Sequence, residues 1–186
     1  MKTLLIVFHS LTGGTRQMAE AARTGATSLA ASSRNEQDGG SHRARSLDVA
    51  CEPAIQVRMV AAPDAGATDL LAADGYIFAT PENLAAMAGR MKDFFDRSYY
   101  PVLDRINGRP YAALICAGSD GENAARQIAR IATGWHLRAV AAPLIICTKA
   151  QTPEAILAAK TIAPADLERC RDLGAMLAAG LDAGIF

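Results

Sequence analysis

The chain has no Cys-x-x-Cys pair, no net charge and no long apolar run, and each absence removes a class of function. Its four cysteines, Cys51, Cys116, Cys147 and Cys170, are scattered, and no histidine stands at a metal-ligand spacing from any of them. That argues against a metal site and against a redox dithiol. Cys116 and Cys147 lie in apolar runs and are expected as small buried hydrophobes, and nothing near Cys51 marks an activated thiol. Nineteen Lys and Arg balance nineteen Asp and Glu, so the basic surface that nucleic acid requires is missing. No window approaches the roughly 20 apolar residues of a membrane span. Residues 4–8 are too short for the apolar core of a signal peptide. The expectation is a cytoplasmic protein without a membrane or nucleic-acid partner. Three phosphate motifs are missing too: G-x-x-x-x-G-K-[ST], G-x-G-x-x-G and the nucleophile loop C-x5-R.

What is present is alternation. About half of the 186 residues are apolar, enough for one substantial core and a single domain over residues 1–186. Residues 4–8 read as a strand and 14–33 as an Ala-rich helix. Residues 34–46 are polar. Their Arg34, His42, Arg43 and Arg45 are diluted by Glu36 and Asp38, which reads as a solvated loop. Strands are expected at 55–60, 75–80, 111–116 and 139–147. Helices are expected at 67–73, 86–98, 122–136, from Pro153 with Thr152 as its cap, and at 164–179. Met87, Met91, Phe94 and Phe95 recur at i, i+4, i+7 and i+8, the pattern of a core-facing stripe. Five short strands separated by helices predict a parallel sheet covered on both faces. In such sheets ligands bind beyond the carboxyl ends of the strands, where strand order reverses. That rule selects the turns after Phe8, Thr80 and Ala117.

The first turn, Ser10-Leu11-Thr12-Gly13-Gly14-Thr15, opens a helix. Free N–H groups and the positive end of a helix dipole favour an anion there. Three hydroxyls add donors, and the two glycines admit close backbone approach. Only Arg16 is cationic, so the turn suits one terminal phosphate held by neutral donors. It carries no nucleophile and is expected to bind phosphate rather than attack it.

The second turn begins Thr80-Pro81-Glu82-Asn83-Leu84 and runs on to Gly89, Lys92, Phe94 and Asp96. The stretch ADGYIFATPENLAAMAGRMKDFFDR resembles the corresponding segment of the flavodoxin-like FMN proteins, nearest to their NAD(P)H-dependent FMN and quinone reductase branch. There a Thr-Pro or Ser-Pro turn is followed by G-x-x-K-x-F-x-D on a helix. Ser10, Thr12, Gly13 and Thr15 match the same family's phosphate loop. The resemblance implies a flavodoxin-like three-layer α/β sandwich, with a five-stranded parallel sheet in the order 2-1-3-4-5.

It also implies a cofactor and its site. FMN would be held by Ser10, Leu11, Thr12, Gly13, Gly14 and Thr15, by Thr80, Pro81, Glu82, Asn83 and Leu84, and by Ala117, Gly118, Ser119 and Gly121. In the family the third turn lines the flavin's pyrimidine edge, where backbone N–H groups meet developing negative charge. Asp120 and Glu122 are expected to face solvent or cap the helix. Glu82 and Asn83 would donate a backbone N–H near the N5–O4 edge or gate the substrate side.

The chemistry would sit on flavin N5, with no side-chain nucleophile and no metal. NADPH or NADH would be the reductant, and a quinone-like or other small molecule the acceptor. Electron-carrier relatives cover the flavin with aromatics and are strongly acidic; this chain has neither feature. The alternative is a flavodoxin-type electron-transfer protein without reductase activity. A cofactor-free regulatory domain is the second rival. His9 and His136 are expected to be structural. The resemblance further implies a homo-oligomer, dimer or tetramer.

Overall fold

The computed structural model describes residues 1–32 and 55–186. Cys51 and the polar 34–46 segment lie outside the described residues. The elements run β1 (Lys2–Phe8), α1 (Gly14–Ser32), β2 (Ile55–Ala61), α2 (Ala67–Ala72), β3 (Gly75–Asn83), β4 (Ala86–Met87), α3 (Gly89–Val102), β5 (Pro110–Ala117), α4 (Glu122–Gly134), β6 (Arg138–Ala139), β7 (Leu144–Cys147), α5 (Pro153–Leu157) and α6 (Pro164–Asp182).

The sheet follows β2-β1-β3-β5-β6, all parallel, with β7 also pairing β5. This is the expected 2-1-3-4-5 order with two departures. The fifth position, expected as one strand over 139–147, is two short ones, β6 and β7. The sequence Val140-Ala141-Ala142-Pro143 interrupts it, and Pro143 has no N–H to give to a ladder. The second departure is the β3–β4 hairpin, where Glu82 pairs with Met87 and Asn83 with Ala86. It displaces the start of the third helix from residue 86 to Gly89. Met87 is still buried, but from β4 rather than from the helix; Met91, Phe94 and Phe95 keep their core face on α3.

β1 shows why its run is continuously apolar. Leu5 and Val7 enter one core, while Leu4, Ile6 and Phe8 enter another on the opposite face. A strand buried on both faces has no polar side to present. The first core gathers most of the aromatics: Phe78 contacts the rings of Tyr76, Phe94, Phe95, Tyr111 and Trp135. Arg109 closes its far end. The guanidinium donates to the carbonyls of Leu70, Leu71 and Ala73 and to the Tyr76 hydroxyl. Burial pushes the Tyr76 phenol up to about 12, with Arg109 opposing it.

The second core is built differently. α1 and α6 lie against it backbone to backbone through Gly25 and Gly174. Cys170 and Cys116 are buried, as expected of Cys116. Cys147 is not: it ends β7, the strand beyond β5, and its thiol is exposed, 3.6 Å from the Asp120 carbonyl.

Candidate functional site

The carboxyl ends of β1, β3, β5 and β7 converge on one cavity of about 70 Å³. That is well under the roughly 300–1,000 Å³ of a pocket enclosing a whole small molecule. It is a narrow recess, on the scale of one phosphate group.

From the first turn, Ser10, Leu11, Thr12 and Thr15 line it. The Ser10 hydroxyl accepts from the Gly13 N–H at 3.1 Å and shapes the turn. Gly13 has φ +88, a left-handed conformation that favours glycine. Gly14 has no room for a side chain: a Cβ there would stand 2.7 Å from the Cys116 Sγ and 3.2 Å from the Lys160 Cβ. Thr15 is 1% exposed and, among the described residues, its Oγ1 has no hydrogen-bond partner of ordinary strength. Its neighbour is the Cys116 thiol. Burial raises that thiol's pKa, while Thr15 and the Lys160 charge oppose the rise. A neutral thiol is a weak acceptor, so the hydroxyl is effectively orphaned toward the recess.

From the second turn, Pro81, Glu82 and Asn83 line the cavity. Thr80 does not. It is fully buried, and its hydroxyl accepts from the Ala88 N–H and donates to the Pro81 carbonyl, pinning the hairpin. Leu84 and Ala85 form the hairpin tip at φ 50 and 57. Two successive left-handed non-glycine residues are strained, at about 1–2 kcal/mol each. The Asn123 amide holds them from α4, donating to the Ala85 carbonyl at 2.5 Å. Leu84 itself projects fully into solvent.

From the third turn, Ala117 and Gly118 line the cavity, whereas Ser119 and Gly121 stand outside it. Asp120 and Glu122 face solvent, as expected. The Gly121 N–H is engaged across the gap by Glu82 Oε2 at 3.0 Å, while Glu82 Oε1 is buried without a partner among the described residues. The Glu82 carboxylate thus bridges the second and third turns.

The sequence reading missed a fourth wall: Thr148, Ala150, Ile156 and Lys160, together with Cys116. The topological rule holds their signal, since β7 ends at the same edge as β5 and its following turn belonged with the other three.

His9 lies beside the first turn, outside the cavity lining, with its N–H on the Ala79 carbonyl at 2.9 Å. Burial, and then the Arg90 charge, lower its pKa below the ordinary 6.5. The neutral form is therefore favoured by folding. Its contribution is complete above pH 6.5 and is lost as pH falls through the lowered native value. His9→Asn is accordingly expected to lose less Tm than the wild type between pH 7 and pH 5, checked by thermal melts across that range. His136 is exposed at the turn after α4. Its structural part is its carbonyl, which accepts from Gly108, and its imidazole lies 3.7 Å from Asp104. Among the described residues no cluster of three metal-ligating side chains occurs, and no helix is long and apolar enough to cross a membrane.

A family model described as NADPH-dependent FMN reductase matches residues 43–151. A protein of Acidithiobacillus ferrooxidans described as NAD(P)H dehydrogenase (quinone) is 34% identical over 99 residues. Those residues are 53% of this chain and 48% of that protein, so the matched part is about half of the relative's length. Among solved structures, a flavodoxin from the domain Archaea superposes with TM-score 0.69 at 20% identity, covering 96% of this chain and 98% of that one. A flavodoxin, WrbA-like protein from Agrobacterium tumefaciens gives 0.68 at 19% identity, with 99% of both chains covered. At these identities the structures establish the flavodoxin-like fold and nothing finer.

Proposed function

Because the chain belongs to the NADPH-dependent FMN reductase family, we propose that it holds FMN across the ends of β1, β3 and β5 and passes reducing equivalents from NADPH or NADH to a small acceptor of the quinone type. The observation that carries this reading is the buried Thr15 hydroxyl, left without a strong partner and facing a phosphate-sized recess. A buried donor without an acceptor costs about 1–3 kcal/mol, and a phosphate oxygen would satisfy it. The glycine cradle of Gly13 and Gly14, the helix start and the hydroxyl of Thr12 fit the same group.

Bound FMN would supply hydride chemistry at its N5; the chain's part is placement. Ser10, Thr12 and Thr15 would fix the phosphate. The Gly118 and Gly121 N–H groups would meet the pyrimidine edge, which requires Glu82 to release the Gly121 N–H it now holds. Among the described residues no aromatic side chain stands in the turns after Phe8, Thr80 and Ala117, which leaves a ring face open for a nicotinamide or a quinone. That feature, with the neutral net charge, favours a reductase over an electron carrier. An open face also suits completion by a second copy of the chain, so a homodimer or tetramer belongs to this reading. So does a cytoplasmic location, where NAD(P)H is supplied.

The test is to add FMN to the purified chain, remove the excess and record the visible spectrum, then follow NAD(P)H oxidation with a quinone. A retained flavin band followed by quinone-dependent oxidation is expected. A colourless protein would overturn the reading. Bound FMN without NAD(P)H oxidation would favour the electron carrier.

A further inference from the structure

We propose that Lys160 is a ligand of the cofactor's phosphate and makes this site select the phosphorylated flavin over its dephosphorylated form. The inference rests on the FMN reading above. The first turn has a charge deficit toward a phosphate. A phosphate monoester carries about −1.5 to −2 at neutral pH, yet the first turn offers only neutral donors. Arg16, the cation next to it in sequence, is exposed and lies over the Phe8 ring at 5.4 Å.

Lys160 reaches the same turn from the opposite end of the chain, and its backbone is locked there. Its N–H donates to the Thr12 carbonyl at 2.8 Å, and its carbonyl accepts from the Gln17 amide at 2.6 Å. Gln17 closes the clasp by accepting from the Ile162 N–H at 3.1 Å. The Lys160 side chain starts against Gly14 and lines the cavity with Ser10, Thr12 and Thr15. The orphaned Thr15 hydroxyl points to an anion in that cavity independently of the lysine.

Among the described residues the ammonium's partners leave its charge uncancelled. It donates to the carbonyls of Ala155, Ile156 and Ala158, at 2.5, 2.9 and 2.6 Å, all neutral acceptors at the end of α5. α5 is five residues long and has no buried residue. Little packing therefore resists a movement that would let the ammonium trade a neutral carbonyl for a charged oxygen. Charge-assisted hydrogen bonds to phosphate are among the stronger ones a side chain makes.

The test is titration of FMN and of riboflavin, followed by quenching of flavin fluorescence, into the wild type, Lys160→Met and Lys160→Arg, with a thermal melt of each. The wild type is expected to prefer FMN. Lys160→Met should weaken FMN about 10- to 100-fold, leave riboflavin affinity unchanged and flatten the salt dependence of FMN binding. Lys160→Arg should retain most of the preference. Equal weakening of both flavins would show that Lys160 merely holds α5 in place, and would overturn the proposal. So would FMN affinity untouched by Lys160→Met. A wild type that binds neither flavin would overturn the FMN reading itself, and the ligand assignment with it.

Discussion

Gly174→Ala is expected to destabilise the protein by about 3 kcal/mol and to lower its Tm by roughly 6–12 °C. Intrinsic propensity points the other way, since alanine in a helix interior is favoured over glycine by about 1 kcal/mol. Contact decides the sign. A Cβ on Gly174 would stand 1.9 Å from the Ala22 carbonyl oxygen of α1, and one on Gly25 would stand 2.0 Å from the Arg171 carbonyl oxygen of α6. Both obstacles are backbone, so no rotamer change relieves them. The two 19-residue helices would have to separate by more than an ångström, loosening Met18, Ala22, Cys170, Leu177 and the rest of that core. Dense packing leaves no slack to absorb this. α1 also begins at Gly14, so moving it disturbs the recess at Thr15, and a fall in FMN affinity should accompany the lower Tm. Gly89→Ala is the control. Nothing lies within 4 Å of a Cβ there and its φ is ordinary, so its effect should stay within about 0.5 kcal/mol. Thermal melts of the two variants check both claims.

That glycine contact was invisible in the sequence, and the reason is general. Hydrophobic periodicity records which face of a helix is buried but not how closely two backbones approach. The Gly14–Ser32 and Pro164–Asp182 helices were legible as helices, but their mode of packing was not. The strands show the same division. β1, β3 and β5 were readable because burial on both faces forces continuous apolar runs. The β3–β4 hairpin was not, because its tip is Leu84-Ala85, where a left-handed pair ordinarily calls for Asn or Gly. Tertiary contacts hold that tip, through Asn123 to Ala85 and Thr80 to Ala88, and no local residue announces them. The break at Pro143 is legible in the residue itself, since proline has no N–H for a ladder, but the apolar run around it reads as one strand.

The candidate site divides similarly. The turns after Phe8, Thr80 and Ala117 follow from strand order alone, and the structure brings parts of all three to one cavity. Thr80 looked like a ligand because it stands at a strand end; its hydroxyl is spent on the hairpin backbone. Lys160 was missed because it lies 145 residues beyond Thr15 in the chain and carries no motif. The Gln17 clasp and the Lys160 N–H on the Thr12 carbonyl make the two neighbours.

Thr15→Val should separate binding from stability in opposite directions. The substitution keeps the β-branched shape and removes only the hydroxyl. In the cofactor-free protein that hydroxyl is buried without a strong partner among the described residues, so its removal deletes a desolvation cost. Apo stability should rise by about 1 kcal/mol. In the FMN complex the same hydroxyl would donate to a charged phosphate oxygen, a bond of about 1.5–3 kcal/mol. FMN affinity should therefore fall about 10- to 100-fold. Ser98 provides the internal standard. Its side chain is also buried with an orphaned hydroxyl, but it lies on α3 in the core, outside the cavity lining. Ser98→Ala removes a comparable cost, at the price of a small void, and should leave FMN affinity unchanged. Melting curves with and without FMN, combined with flavin titration, distinguish the two. If Thr15→Val binds FMN as the wild type does, the hydroxyl is an orphan like that of Ser98, and the recess at the end of β1 is not where the phosphate sits.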